Sequence, residues 1–404
     1  MLLLKRIGCR AFQTAFRAAS PALPYREPQV LRSCAELGDV FQKENISAAL
    51  VVTDKGIVEN GLLAPVENVL KDRGVSYVVY DRTQPNPTTE NVEEALQYYV
   101  DGACEALIAI GGGSAIDCAK AVGARVAYPD KKITQLGGVM RILRPLPTLI
   151  AIPTTAGTGS EVTPVAVITD AAAHHKYALM SFPLIPHYAV LDATLTYSLP
   201  PHLTATTGID ALTDAVEAYI GRTNNAETRT LAREATGLVF RYVKKAYHNG
   251  QDHYAREGML RAAYKAGIAF SRSYVGYIHA IAHSLGGRYG IPHGLANAVI
   301  MPYVLEAYGP CIHERLHHLA VVAGLCADHD SHEYGARRFI EAVRILNAEM
   351  GIPHKLKGIK KEDIAEMARY AEKEANPLYP VPRLMTRKEL ERFYYQIADW
   401  SAKT

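Results

Sequence analysis

Residues 274–302 read YVGYIHAIAHSLGGRYGIPHGLANAVIMP, a stretch that carries three histidines among small and apolar neighbours. His279 and His283 are four residues apart, so on a helix both imidazoles share one face. Glycines and a proline within 286–292 then break the helix, and His293 follows a loop that can fold back toward the other two. Because divalent metals need three or four converging groups and often bind imidazole, the stretch predicts a metal site. The alternative is a set of core histidines bonded to the backbone.

A second cluster of potential ligands lies upstream, where residues 208–219 read GIDALTDAVEAY. Asp210 and Asp214 are four apart on a predicted amphipathic helix, so their carboxylates also share a face. Carboxylates on one helix and imidazoles on another suit a metal held between two helices of a bundle.

Four ordered motifs together resemble the iron-containing (group III) alcohol dehydrogenase family. Besides the two clusters above, they are IGGGSAIDCAK at 110–120 and AIPTTAGTGSEVT at 151–163. The resemblance extends over nearly the whole chain, from residue 24 to residue 400. It implies an α/β N-terminal Rossmann-like domain with a parallel sheet, followed by an all-α helical-bundle domain, in the dehydroquinate synthase-like architecture.

Composition excludes several classes of protein. With 404 residues, 49% hydrophobic and 21% charged, the chain has the composition of a soluble globular protein and the length of two domains. A net charge of +3 without a dense Lys/Arg block argues against nucleic-acid binding. No apolar run approaches the length of about eighteen residues that a membrane span needs. The six scattered cysteines, with no CxxC pair, favour reduced thiols and a cytoplasmic location.

The first residues admit two interpretations. Five basic residues precede the first acid, Glu27, a composition that a transit peptide would also have. We favour the interpretation that residues 1–24 form an edge segment of the first domain, because the family that the chain resembles often begins with such a segment.

Hydrophobic patterning divides the chain near Pro200. Before it, apolar runs alternate with helical patterns, which predicts a parallel sheet covered on both faces. These runs lie at 48–53, 76–80, 106–110 and 147–152; a short antiparallel pair is predicted at 165–169 and 177–180, and another strand at 188–191. After it, long patterns of period 3.6 dominate. We therefore predict an α/β dinucleotide-binding domain at 1–200 and an all-helical metal- and substrate-binding domain at 201–404.

Two polar loops that follow strands predict a dinucleotide site. Gly111, Gly112, Gly113 and Ser114 lie between a strand and a helix, where small residues let backbone N–H groups approach a phosphate. A tight turn without a ligand is the alternative. The second loop runs from Thr154 to Ser160, and two such loops at the carboxyl ends of strands suggest a dinucleotide crossing a switch point.

The resemblance adds further cofactor residues. It implies that Asp54 accepts hydrogen bonds from the ribose hydroxyls, and a carboxylate there would repel a 2′-phosphate, so NAD is preferred over NADP. It also implies that the nicotinamide cofactor is lined by Asp117, Thr154, Thr155, Thr158, Thr163 and Lys176. Asp54 could instead be a strand-end turn residue, and Lys176 a solvated hairpin charge.

The same resemblance implies a metal held by Asp210, position 214, His279 and His293. Position 214 is Asp here, where the family has His. Two carboxylates and two neutral imidazoles would cancel a +2 charge, which weakens the ion as a Lewis acid. The oxygen-richer set shifts selectivity toward Fe²⁺ or Mn²⁺. We expect Fe²⁺, with Zn²⁺ or Mn²⁺ as the alternatives. Asp214 could bind the ion directly, act through a water, or stand off while His283 or solvent completes the shell; a surface position is the remaining alternative.

The family role that matches His283 is proton relay or substrate orientation, with a supporting hydrogen bond to His279 or to a carbonyl as the alternative. The predicted activity is that of a metal-dependent NAD(H) alcohol dehydrogenase or aldehyde reductase acting on a small primary alcohol or diol. The alternatives are a glycerol-dehydrogenase-like polyol dehydrogenase and a non-catalytic metal- and nucleotide-binding protein. The family implies a homodimer or a larger homo-oligomer.

Overall fold

The computed structural model of the protein describes residues 3–19, 23–170 and 175–401. The chain forms two compact units, one of residues 24–199 and one that combines residues 1–23 with 200–404. The chain passes from the first of these units to the second between Leu199 and Pro200, next to the boundary predicted at residue 200.

Regular elements account for most of the described chain. The strands are β1 (Gln29–Leu31), β2 (Ala48–Val52), β3 (Ser76–Tyr80), β4 (Ala106–Gly111), β5 (Gly138–Val139), β6 (Thr148–Pro153), β7 (Val165–Asp170), β8 (His175–Met180) and β9 (Tyr188–Val190). The helices are α1 (Leu3–Ala19), α2 (Leu37–Lys43), α3 (Lys55–Glu59), α4 (Ala64–Asp72), α5 (Thr89–Asp101), α6 (Gly113–Ala127), α7 (Pro201–Ile220), α8 (Ala226–His248), α9 (His253–Ser273), α10 (Tyr277–Tyr289), α11 (His293–Tyr308), α12 (His313–Val322), α13 (His332–Glu349), α14 (Lys361–Ala375) and α15 (Arg387–Ile397).

The α/β unit is built on a six-stranded parallel sheet in the order β1-β9-β6-β4-β2-β3. Successive side chains of a strand point to opposite faces. Leu50 and Val52 accordingly join the core on one face of the sheet, whereas Ala49 and Val51 join the core on the other. The predicted α/β architecture with a sheet covered on both faces is confirmed, and the predicted antiparallel pair is present as β7 and β8.

The order of the strands creates a switch point. From β2 the chain moves to β3 on one side and then to β4 on the other, so the loops after β2 and β4 leave the sheet in opposite directions. In open parallel sheets this arrangement opens a crevice at the carboxyl ends of the two strands, where ligands bind.

A buried lysine ties α6 to the segment that follows β6. The Lys120 side chain is fully buried, and its Nζ donates to the carbonyl oxygens of Thr163 and Val165, each at 2.8 Å, and to Ser160 Oγ at 3.1 Å. Burial lowers the pKa of Lys120 to about 8, and burial raises the pKa of the neighbouring Glu161 to about 7. The amine therefore satisfies backbone carbonyls that would otherwise be buried without partners.

The helical unit surrounds α7. Every residue from Gly208 to Ile220 is buried, so this helix is covered on all sides, as expected for the centre of a bundle. Helices α8, α9 and α11 pack against it, and α10 packs against α11 and α14. The predicted all-helical second half is confirmed.

Helix α1 belongs to the helical unit, which differs from the prediction that residues 1–24 lie at the edge of the first domain. Arg10 donates to the carbonyl oxygens of Val381 (2.8 Å) and Pro382 (2.9 Å), and Gln13 Nε2 donates to the carbonyl of Tyr379 at 2.7 Å. These bonds join positions more than 360 residues apart, which no local pattern in the sequence reveals.

By length and composition, a single helical stretch within the described part of the chain, His293–Val322, is suited to crossing a membrane. Most of it is buried inside the helical unit, as the core helix of a soluble protein would be.

We expect Lys120→Met to lower the free energy of unfolding by about 2–5 kcal/mol, because buried carbonyls lose their donor and buried acids lose a compensating charge. Urea-induced unfolding followed by circular dichroism measures the effect. Lys131→Met, at an exposed position of the same unit, is the matched control and should change stability by less than about 1 kcal/mol. Equal stability of the Lys120 and Lys131 variants would contradict the assigned role.

Candidate metal and dinucleotide sites

Helix α7 presents the two aspartates to the interior of the helical unit. Asp210 and Asp214 are each 3% exposed and lie one turn apart. The start of α11 approaches α7 very closely, since a Cβ at Gly294 would lie 2.5 Å from the carbonyl oxygen of Thr206 and 3.4 Å from Asp210 Cβ. This glycine therefore allows His293, the first residue of α11, to lie beside Asp210.

The three histidines form one ring cluster. The ring centroids of His279 and His283, on successive turns of α10, are 5.9 Å apart. The His293 ring lies 5.2 Å from that of His279 and stacks on His283 at 5.1 Å with an interplanar angle of 21°.

Three of the predicted ligands converge on one point. One donor atom each from Asp210, His279 and His293 lies within 4.8 Å of the other two. Within residues 3–19, 23–170 and 175–401, no other group of three His, Cys, Asp or Glu side chains meets this criterion. The arrangement has the residue types and the spacing of a site for a divalent metal.

Asp214 reaches this group through His279, since its Oδ1 lies 3.0 Å from His279 Nε2. The other ring nitrogen, Nδ1, lies 2.7 Å from Glu217 Oε2. Burial lowers the pKa of His279, but the hydrogen bonds that its ring donates to Asp214 and Glu217 outweigh this effect and raise the pKa well above its ordinary value. Burial raises the pKa of Asp214 to about 7 and also raises that of Asp210.

The charges at this place suit a cation. Asp210, Asp214 and Glu217 are three buried acidic side chains; Asp214 and Glu217 contact His279, and Asp210 Oδ1 lies 3.6 Å from His293 Nε2. The fully buried Asn297 directs its Nδ2 at the converging acceptors, 2.7 Å from Asp210 Oδ1 and 3.1 Å from His293 Nε2. Its Oδ1 has no hydrogen-bond partner among the described residues. An electropositive group thus already points to where the donor atoms meet, and the residues fit a divalent ion.

His283 lies beside the converging group with a different partner. Its Nδ1 is 2.6 Å from Glu374 Oε1, and the hydroxyl of Tyr379 donates to the same oxygen at 2.6 Å. Burial would raise the pKa of Glu374, but the charge and hydrogen bond of His283 and the bond from Tyr379 lower it. The ionised carboxylate holds the His283 ring in place, and the side chain is 40% exposed, so it can exchange protons with solvent.

In the α/β unit, the loops after β2, β4 and β6 meet at the switch point. Asp54 caps α3, since its Oδ1 accepts from the backbone N–H of Ile57 at 3.2 Å. A Cβ at Gly111, whose φ is +150°, would lie 3.4 Å from Asp54 Oδ2 and 2.8 Å from Ala115 Cβ. A Cβ at Gly113 would lie 2.9 Å from Thr158 Oγ1. The glycines thus bring backbone N–H groups at the start of α6 close to both neighbouring loops, an arrangement typical of phosphate binding.

The remaining predicted cofactor residues divide into two groups. Lys176 Nζ donates to Asn86 Oδ1 at 2.8 Å, and the backbone N–H of Asn86 donates to Ser114 Oγ at 3.2 Å, so Lys176 lies near the glycine loop. Asp117 and Thr163 make internal bonds instead. Asp117 accepts from Ser160 Oγ at 2.6 Å and from the backbone N–H of Val167 at 2.9 Å, whereas Thr163 Oγ1 accepts from Lys120. These two residues support the loop from within.

Four residues around the candidate metal site escaped the sequence reasoning. Glu217 lies three residues after Asp214, and Asn297 lies four after His293, so helical spacing from a predicted ligand would have found both. Glu374 and Tyr379 lie about ninety residues beyond His283 along the chain, and no sequence pattern links them to it.

Comparison with known proteins identifies the family. The model for iron-containing alcohol dehydrogenase matches residues 30–193, and the model for the C-terminal part of the Fe-containing alcohol dehydrogenase family matches residues 204–398. Alcohol dehydrogenase 4 of Schizosaccharomyces pombe is 39% identical over 86% of this chain and 82% of its own length. The NAD-dependent methanol dehydrogenase of Bacillus methanolicus is 37% identical over 83% of this chain and 88% of its own.

Comparison with solved structures supports the same family. The crystal structure of a 1,3-propanediol oxidoreductase superposes with a TM-score of 0.89 at 34% identity, covering 92% of this chain and 99% of that one. The chain belongs to the iron-containing alcohol dehydrogenase family, a family of oxidoreductases that use a divalent metal and NAD.

Proposed function

We propose that the protein transfers hydride between a small primary alcohol or diol and NAD, and that it reduces the corresponding aldehyde in reverse. The observation that carries this proposal is the convergence of Asp210, His279 and His293 inside the helical unit. The glycine loop at the switch point of the α/β unit supports the dinucleotide part of it. Relatives named for methanol and for 1,3-propanediol favour a short substrate.

We assign the metal to Asp210, Asp214, His279 and His293, and we favour Fe²⁺. When bound, such an ion supplies a Lewis acid that polarises the oxygen of the alcohol or aldehyde. Asp214 is included because it is buried and its Oδ1 lies 3.0 Å from His279 Nε2, about the separation of two adjacent ligand atoms of one ion. With two carboxylates and two neutral imidazoles, the protein itself would neutralise the charge of a divalent ion.

We assign the proton-transfer step to His283. The Nδ1–H of a neutral ring donates to Glu374, which leaves the lone pair on Nε2 to accept the proton that the alcohol loses. Tyr379 donates to the same carboxylate and keeps it ionised. The partial exposure of His283 lets the proton pass to water.

We assign NAD to the loops of the α/β unit. The backbone N–H groups at Gly111–Ser114 would hold the pyrophosphate at the start of α6, and the carboxylate of Asp54 would accept from the ribose hydroxyls. Thr154, Thr155, Thr158 and Lys176 lie on or beside this loop cluster, and Asp117 and Thr163 stabilise it from within. Free cysteines throughout the described chain agree with a cytoplasmic location, and we expect a homodimer or a larger homo-oligomer.

The activity is tested by following NADH absorbance with protein purified without air and loaded with Fe²⁺. Short primary alcohols and 1,3-propanediol should be oxidised, and a chelator should abolish the signal because the substrate oxygen loses its Lewis acid. Preference for glycerol would favour the polyol dehydrogenase alternative. NAD binding without turnover of any alcohol or aldehyde would favour the non-catalytic alternative.

Asp214→His should keep one metal ion per chain, because imidazole replaces carboxylate in the set that the family uses. With one carboxylate fewer, a bound ion would be a stronger Lewis acid and would favour loss of the alcohol's proton, so the acid-side limb of the kcat profile for alcohol oxidation should move to lower pH. Elemental analysis and pH–rate profiles measure both effects. An empty site in this variant would contradict the assignment of position 214.

Asp54→Asn should raise the ratio of kcat/KM with NADP to that with NAD by about tenfold or more, because the negative charge that repels a 2′-phosphate is removed. Asparagine retains the cap of α3, which keeps the fold comparable. Asp72→Asn, at the exposed end of α4, is the matched control and should leave the ratio unchanged. An unchanged ratio in the Asp54 variant would remove this residue from the cofactor site.

A further inference from the structure

We propose that Glu217 is the positioning residue that prepares His279 for the metal. Its carboxylate would fix the orientation and the tautomer of the His279 ring without touching the ion. The inference rests on the metal assignment of the proposed function and adds to it Glu217, a residue of the 208–219 stretch to which the sequence analysis gave no role.

Both carboxylate oxygens of Glu217 have hydrogen-bond partners at the start of α10. The side chain is 1% exposed, and Oε2 accepts from the backbone N–H of Gly276 at 2.6 Å and lies 2.7 Å from His279 Nδ1. Its other oxygen, Oε1, accepts from the backbone N–H of Ile278 at 2.9 Å. Two backbone donors at the start of α10 therefore lock the carboxylate before it meets the histidine.

These contacts decide which nitrogen of His279 is available. An ionised carboxylate only accepts hydrogen bonds, so Nδ1 carries the proton that points to Glu217. In the neutral ring the lone pair is then on Nε2, the nitrogen 3.0 Å from Asp214 and facing Asn297. A histidine that binds a metal commonly donates its second N–H to a carboxylate in this manner, and the loss of that partner typically weakens metal binding about 10–100-fold.

Gly276 contributes to the same arrangement, because its small size leaves room for the Glu217 carboxylate. A Cβ at this position would lie 2.5 Å from Glu217 Oε1, so a side chain there would displace the carboxylate. The backbone of Gly276, with φ −139°, is extended and open to any residue, so close approach rather than conformation requires glycine here.

The chain supplies a matched control, because a second carboxylate holds a second histidine in the same way. Glu374 Oε1 lies 2.6 Å from Nδ1 of His283, which is not among the converging ligands. Glu217→Gln and Glu374→Gln are the same chemical change, the first at the partner of His279 and the second at the partner of His283. Only the first should alter metal affinity.

The test is a competition titration of metal-free protein with Zn²⁺ against a chromophoric chelator, together with the visible spectrum of the Co²⁺-loaded protein. We expect Glu217→Gln to weaken Zn²⁺ binding about 10–100-fold and to change the Co²⁺ spectrum, with Glu374→Gln close to the wild type in both. Gly276→Ala should weaken binding in the same direction, and it serves as the second variant if Glu217→Gln does not fold.

Affinity within twofold of the wild type in a folded Glu217→Gln protein would overturn the inference, as would equal losses in the Glu217 and Glu374 variants. Failure of the wild type to bind Zn²⁺ or Co²⁺ would instead overturn the metal site of the proposed function, so the two failures are distinguishable.

Discussion

Three acidic side chains lie within about two turns of the buried part of α7, and their burial is the main electrostatic constraint on the helical unit. Asp210, Asp214 and Glu217 are each 3% exposed, and the removal of unpaired carboxylates from water costs several kcal/mol per group, about the size of a small domain's stability. His279 lies between Asp214 and Glu217, and backbone amides at the start of α10 donate to Glu217. These groups of the protein compensate the negative charge of the three acids only in part, and a bound divalent cation would compensate the remainder.

The α/β unit was the part most readable from the sequence, because the central strands of a parallel sheet are continuous apolar runs. The runs predicted near 48–53 and 106–110 correspond to β2 and β4. The strands β1 and β5 were missed, since elements of three and two residues are too short to show a period. Their existence depends on pairing with distant strands.

The candidate metal site was also predictable from the sequence only in part. Spacing of four residues on a helix brought together the pairs on α7 and α10, and the structure brings Asp210, His279 and His293 to one point. The partners of those groups depend on which helices are neighbours in space. Glu374 reaches His283 because α14 packs on α10, a contact between segments far apart in the chain that no local pattern encodes.

Helix α1 is attached to the helical unit through main-chain acceptors. Arg10 and Gln13 bind carbonyl oxygens at 379–382, and a carbonyl oxygen is the same whatever side chain its residue carries. A substitution within 379–382 therefore requires no compensating substitution in α1, provided that the backbone keeps its path. Correlated change between aligned sequences will therefore leave little trace of these bonds to the main chain.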